Sequence, residues 1–206
     1  RKLIQVIYEM EGHGVTYNQD RQQQELEPRL LKEEQYSERV CVGLSGGLLK
    51  ALPTGGTSND LRKVVFERFK LPEVKQKKKK TDTPSVNKVA IDVWLSSLDP
   101  TSQAFTFVKN LKRNRGCNTA LGYSKSYRRF SMPYNGCAGP WRVLHPSFNA
   151  TGSDTLRFSC SNPNGQNISK LSDANLRYMF GPGPGREWWS LDYSNLELTI
   201  PAYEAG

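Results

Sequence analysis

The sequence predicts an α+β fold, with helices up to about residue 130 and then a mixed region of short strands and turns. Three observations point there. Apolar residues recur every three to four positions in 1–11, 61–69, 86–94 and 105–112, the repeat of a helix with one buried face. From residue 132 onward Gly, Pro and Asn crowd together, as at Asn135-Gly136, Gly139-Pro140 and residues 162–165, which is turn chemistry. Around those turns, residues 142–160 alternate enough for a strand and turn, and 188–191 is a short apolar run.

Each element follows in order. Leu3, Ile4, Val6, Ile7 and Met10 define a first helix, ended by Gly12, His13 and Gly14. Thr16 or Asn18 caps a second, rich in Gln and Glu, that runs to about Arg39 and is kinked or divided by Pro28. Residues 43–57 are loop. Ser58 opens a short helix carrying Leu61, Val65 and Phe69, and Leu71-Pro72 ends it. The lysine-rich residues 75–84 read as an exposed loop. Ser85 starts a helix with Val86, Val89, Val93 and Trp94, broken at Asp99-Pro100. A long helix begins around Phe105, Val108 and Leu111. Residues 132–141 are irregular, 142–160 strand and turn, 171–180 helical and 181–185 loop. Trp188, Trp189 and Leu191 form an apolar strand that stops at Asp192, with the tryptophan pair read as core.

Charge narrows the function. The chain carries 29 Lys and Arg against 20 Asp and Glu, a net charge of +9. The whole excess lies in residues 61–130, which hold 17 basic and 5 acidic side chains, including Lys77 through Lys80. Contact with a phosphate backbone produces such a footprint, and so does a solvated basic face. No apolar run is long enough to span a bilayer, so no membrane partner is expected. The four cysteines stand far apart without metal-ligand spacing and are expected as reduced thiols. His13 and His145 form no cluster, and the sequons at Asn149 and Asn167 are read as unmodified.

Two stretches could carry chemistry. In the first, the apolar run at 188–191 leads into Asp192-Tyr-Ser-Asn-Leu-Glu-Leu at 192–198. A strand ending in Asp presents a carboxylate at a sheet edge, suited to Mg²⁺. A strand-end turn is the simpler reading of the same residues. Ser194 and Glu197 have the spacing of a capping box, and a glutamate fixed there is also placed to line a pocket. Asp192 and Glu197 can share one site only if strand turns to helix at Ser194. The second stretch, residues 157–168, holds Arg157, Asn162, Asn164, Gln166 and Asn167. It is dense in hydrogen-bond donors, and its Asn-Pro-Asn-Gly core is also strong turn chemistry.

Together these stretches resemble family A DNA polymerases. Residues 192–198 look like that family's motif A, Asp-Tyr-Ser-Gln-Ile-Glu-Leu, and residues 157–168 are similar to its Arg-Leu-Ser-Ser-x-Asp-Pro-Asn-Leu-Gln-Asn-Ile element. His145, Pro146, Ser147, Phe148 and Asn149 precede Arg157 at the family's usual distance. Glu9, Met10, Glu11, Gly14 and Val15 look like the start of the polymerase region, and 61–72 and 85–95 resemble thumb helices. Asn162, Gly165, Ser169, Leu156 and Thr199 depart from the family pattern.

The resemblance implies a helical thumb followed by an incomplete antiparallel palm sheet, truncated before the fingers. Residues 1–57 would be the start of the polymerase region, 58–130 the basic thumb and 131–206 a partial palm. Asp192 would be the catalytic acid and would bind two Mg²⁺ ions, with Tyr193 adding its backbone carbonyl. Glu197 would bind the nucleotide and occupy the space a ribose 2′-OH needs. Arg157, Asn164, Gln166 and Asn167 would contact DNA in the minor groove. Primer-template DNA and dNTPs are the implied partners, in DNA replication within a bacterial or phage-infected cytoplasm; a processivity partner is not identified. A chain that opens on Arg1 and closes soon after motif A is expected to be a fragment, without the fingers and the second catalytic Asp motif, and inactive alone. A non-catalytic duplex-binding module that kept the fold is the alternative. A single-subunit RNA polymerase fits less well, because Glu197 would exclude its substrate.

Overall fold

The computed structural model describes residues 2–54, 56, 58–74, 85–134, 139–152, 157–168, 175–192, 194, 199 and 203. Helix α1 (Lys2–His13) ends at Gly14, whose φ of +65° is left-handed. A Cβ there would collide with the Leu144 carbonyl oxygen, so the tight exit requires glycine. Strand β1 (Val15–Asn18) follows directly, where the sequence suggested only a helix cap. Asn18 does cap: its Oδ1 accepts the N–H groups of Asp20 and Arg21. A π-helical turn (Arg21–Leu26) runs without a break into α2 (Glu27–Leu44), with Pro28 in the first turn of α2. The backbone stays helical at Leu26 and Glu27, so the expected division at Pro28 is a change from π- to α-helix, and α2 continues past Arg39.

The short helix α3 (Asn59–Arg62) runs on as a π-helical turn (Lys63–Arg68) and stops before Leu71-Pro72, as predicted. Helix α4 (Lys88–Ser97) starts three residues later than expected. Asn87, not Ser85, caps it, its Oδ1 accepting the Ala90 N–H at 3.0 Å. Val89 and Val93 face outward, while Val86 and Trp94 are buried. Ser102 caps α5 (Gln103–Phe130) through the Phe105 N–H. Its buried residues Phe107, Val108, Leu111, Asn114, Cys117, Leu121, Ser124 and Tyr127 make one stripe down the whole helix.

Helices α2 and α5 pack antiparallel. Cys41 meets Phe107 at one end, Asn114 donates to the Glu34 carbonyl oxygen in the middle, and Ser124 donates to Glu27 at the other. Two cores form along this pair. One gathers Cys41, Leu61, Val64, Val65, Ile91, Trp94, Phe107 and Leu111. The other gathers Tyr17, Leu26, Leu30, Cys117, Leu121, Tyr127, Leu144 and Met179.

Beyond α5 the chain builds two small antiparallel sheets. Strands β2 (Ser131–Pro133) and β1 flank β3 (Trp141–Leu144), in register Ser131 with Leu144 and Val15 with Leu144. Strand β4 (Ser147–Asn149) pairs with β5 (Ser159–Ser161). The region read as irregular therefore contains β2, which exists because β3 offers it a ladder. Of the predicted helix of 171–180, residues 171–174 lie outside the described residues and Leu176–Met179 form a 3₁₀ turn. The predicted strand at 188–191 does not form among the described residues: these residues pair with no described strand, and Trp188, Trp189 and Leu191 are 53, 83 and 93% exposed. The tryptophans are therefore surface, not core. The lysine run at 77–80 lies outside the described residues.

Candidate nucleic-acid interface and catalytic carboxylate

Residues 157–168 are built into one turn unit around β5. Cys160, buried in β5, donates its thiol to the Pro163 carbonyl oxygen and accepts the Gly165 N–H at 3.4 Å. Asn164 caps a 3₁₀ turn (Gly165–Asn167), its Oδ1 accepting the Gln166 N–H at 3.0 Å. The Gln166 carboxamide donates back to the Phe158 carbonyl oxygen at 3.0 Å, beside Arg157. Arg157, Gln166 and Asn167 are exposed and Asn164 is half-buried. Three of the four predicted DNA contacts, Asn164, Gln166 and Asn167, are thus fixed within one hydrogen-bonded turn unit, which Arg157 adjoins in sequence.

Two neighbours hold this unit in place. From α5, Tyr127 donates its hydroxyl to the Asn164 carbonyl oxygen and Tyr123 accepts from the Asn167 carboxamide. From α1, Glu11 accepts the Phe148 N–H through its carboxylate and the His145 Nδ1–H through its carbonyl. His145 is thereby a structural contact between helix and sheet.

The path toward Asp192 is anchored upstream. The Thr16 hydroxyl donates to the Gly181 carbonyl oxygen at 2.6 Å, and the Gly181 N–H donates to the Thr16 carbonyl. Residues 180 and 181 therefore extend the edge of β1. Gly183 lies against the Tyr134 ring, where a Cβ would clash, and the Arg186 guanidinium stacks on the same ring. Asp192 is solvent-exposed, and no ion pair or hydrogen bond among the described residues engages its carboxylate. Tyr193 and Glu197 lie outside the described residues.

The structure adds polar groups on the basic lobe that the sequence did not single out. A cleft of about 340 Å³ is lined by Thr54, Arg115, Asn118 and Thr119, and another of about 350 Å³ by Asn59, Arg62, Lys63, Phe66, Glu67 and Glu73. Arg115 donates to the Val86 carbonyl oxygen, and burial lowers its pKa. The signal for these residues was only the charge bias of 61–130. Among the described residues no three His, Cys, Asp or Glu side chains gather around a common point, and no helix is long and apolar enough to cross a membrane. Cys41, Cys117 and Cys160 are free thiols.

A basic helical lobe joined to a small antiparallel palm is a polymerase-type arrangement, and a solved structure shares it. The POL domain of Pol1 from M. smegmatis, in complex with DNA primer-template and dNTP, superposes with a TM-score of 0.67 over 87% of this chain and 28% of its own, at 22% identity. The sequence profile of DNA polymerase family A matches residues 53–206, and the chain belongs to that family. DNA polymerase I of Caldicellulosiruptor bescii is 26% identical over 98% of this chain, and that of Chloroflexus aurantiacus is 37% identical over 31%. The chain spans 22% of the first protein's length, and the match covers 7% of the second's.

Proposed function

We propose that this chain is the thumb and the motif A part of the palm of a DNA-directed DNA polymerase. In that reading residues 58–130 grip primer-template duplex, residues 131–206 contribute the palm, and 1–57 open the polymerase region. The reaction is Mg²⁺-dependent transfer of a nucleotidyl group from a dNTP to a primer 3′-OH. The observation that carries this is the hydrogen-bonded turn unit of Asn164, Gln166 and Asn167, with exposed Arg157 next to it in sequence, on a member of the polymerase family.

The chemistry of each residue supports its role. Purine N3 and pyrimidine O2 acceptors occur in the minor groove of every correct base pair. Exposed Arg and carboxamide donors can therefore test pair geometry without reading sequence. Asp192 is a solvent-facing oxygen donor uncommitted to any described partner, which fits one ligand of a hard cation. When bound, Mg²⁺ supplies Lewis-acid stabilisation of the phosphate and lowers the pKa of the attacking hydroxyl. Asp192 and the Tyr193 carbonyl would hold it. Glu197 would fill the position of a 2′-OH and so favour dNTPs over rNTPs. One carboxylate does not complete such a site, so catalysis requires a polypeptide that also carries a second acidic motif.

The test is primer extension by a polymerase that includes this chain. Asp192→Ala should lower the rate by about 10²-fold or more, the scale of losing one electrostatic contact in a preorganised site, with duplex affinity retained. Retained extension would overturn the role of Asp192. Duplex binding with no extension in any active-site background would favour the non-catalytic module. Glu197→Ala should raise rNTP incorporation; unchanged sugar discrimination would leave Glu197 only its capping role. Duplex affinity should fall steeply with salt.

A further inference from the structure

Helix α5 is continuous through both cores: Phe107, Val108 and Leu111 sit in the first, Cys117, Leu121 and Tyr127 in the second. At its second half two tyrosines stand one turn apart, Tyr123 and Tyr127, with rings 6.1 Å apart and only 15° from parallel. Tyr127 is fully buried, packs edge-on against Phe180 at 5.6 Å, and donates to the Asn164 carbonyl oxygen at 3.3 Å. Burial pushes its hydroxyl up to about 12, so it remains a donor at any physiological pH. A ring fixed in this way is a wall against which Tyr123 stacks.

The Tyr123 hydroxyl accepts the Asn167 Nδ2–H at 3.0 Å across a sequence separation of 44. Two of the segment's other carboxamides are used within it, Asn164 on the Gln166 N–H and Gln166 on the Phe158 carbonyl. The Asn167 side chain, by contrast, is oriented from outside the segment. We propose that Tyr123 is a positioning residue: its hydroxyl sets the Asn167 carboxamide, so that the helix shared with the basic lobe also aims a side chain at the primer terminus. This rests on the reading of residues 157–168 as a minor-groove contact. The physical consequence is coupling. A shift of α5 along the duplex moves Tyr123 and Tyr127 together, and with them the side chain of Asn167 and the backbone of Asn164.

The experiment uses a polymerase that includes this chain and measures kcat and KM for dNTP on matched and mispaired primer termini, together with duplex affinity. Tyr123→Phe keeps the ring and its stacking and removes only the acceptor. It should lower kcat on matched termini about 3–10-fold, the scale of one hydrogen bond, and narrow the gap between matched and mispaired termini. KM and duplex affinity should stay within about twofold. Asn167→Ala should do the same, and the double variant should be no worse than either single one. Wild-type kinetics for Tyr123→Phe beside an impaired Asn167→Ala, or effects that multiply in the double variant, would overturn the proposal alone. If Asn167→Ala and Arg157→Ala both extend primers normally, the minor-groove reading falls and takes this inference with it.

Discussion

The two cores of this chain are held together differently. The core around Trp94 is almost entirely apolar: Leu61, Val64, Val65, Ile91, Phe107 and Leu111 surround it, and the indole N–H is satisfied by the Pro72 carbonyl at 2.9 Å. The core around Tyr127 is threaded with hydrogen bonds. Buried Gln22 donates to both the carbonyl and the hydroxyl of Ser124, Ser124 donates to Glu27, and Glu27 also takes Arg128. Apolar packing is non-directional and resists separation. Hydrogen bonds have preferred angles and resist rotation. Under the proposed function, the first kind would suffice for a lobe that presents charge to a uniform backbone, and the second would suit the segment whose donors are to meet base edges at defined positions.

The most severe way to break this contrast is Trp94→Ala. It empties the centre of the apolar core and should cost about 3–5 kcal/mol, read as a large drop in the urea midpoint; a loss under about 1 kcal/mol would show that this core is not what stabilises the lobe. Gln22→Ala should cost less, about 1–3 kcal/mol, because it removes two buried hydrogen bonds, to the Ser124 carbonyl and hydroxyl. Adding Ser124→Ala should cost little more than Gln22→Ala alone, since the two share one network. Additive losses would mean the hydrogen bonds act separately.

Alkaline pH probes both cores together. Burial raises the Cys41 thiol to about 12, Cys117 to about 11 and the Tyr127 hydroxyl to about 12. Each is raised on folding, so its contribution is full below the ordinary value, 9.0 for the thiols and 10.0 for the tyrosine, and is lost as pH climbs to the raised one. Stability should therefore decline progressively between about pH 9 and 12. Cys41→Ala should flatten the early part of that decline; an unchanged slope would remove Cys41 as a source. The smallest effect belongs to the exposed ion pair of Lys112 with Asp92, 2.8 Å apart with both side chains about half exposed. Lys112→Ala should change stability by less than about 1 kcal/mol, and any larger value would put the surface on a par with the polar core.

How much of this was readable depended on distance along the chain. Helix α5 and its buried stripe, the end of α1 at Gly14 and the break at Asp99-Pro100 were legible because caps, periodicity and turn residues are local signals. So was the donor content of 157–168. Strands β1 and β2 were not. Val15 through Asn18 are four residues with no alternation to distinguish them, and they become a strand only because β3 arrives more than 120 residues later. Trp188 to Leu191 failed the other way: the residue types favour a strand, but none of the described strands pairs with them, and a strand is a property of the ladder.

Residue order by itself settled the helical first part, the concentration of positive charge in 61–130, and which side chains could donate or coordinate. These depend on neighbours within a turn or two of helix, or on composition. Tertiary structure alone decided that α5 would serve two cores, that Gly181 would join the edge of β1 through Thr16, and that Tyr123 would hold Asn167. Each of those contacts closes a long loop of chain. Its geometry arises from packing many groups at once, so nothing in the adjacent residues announces it.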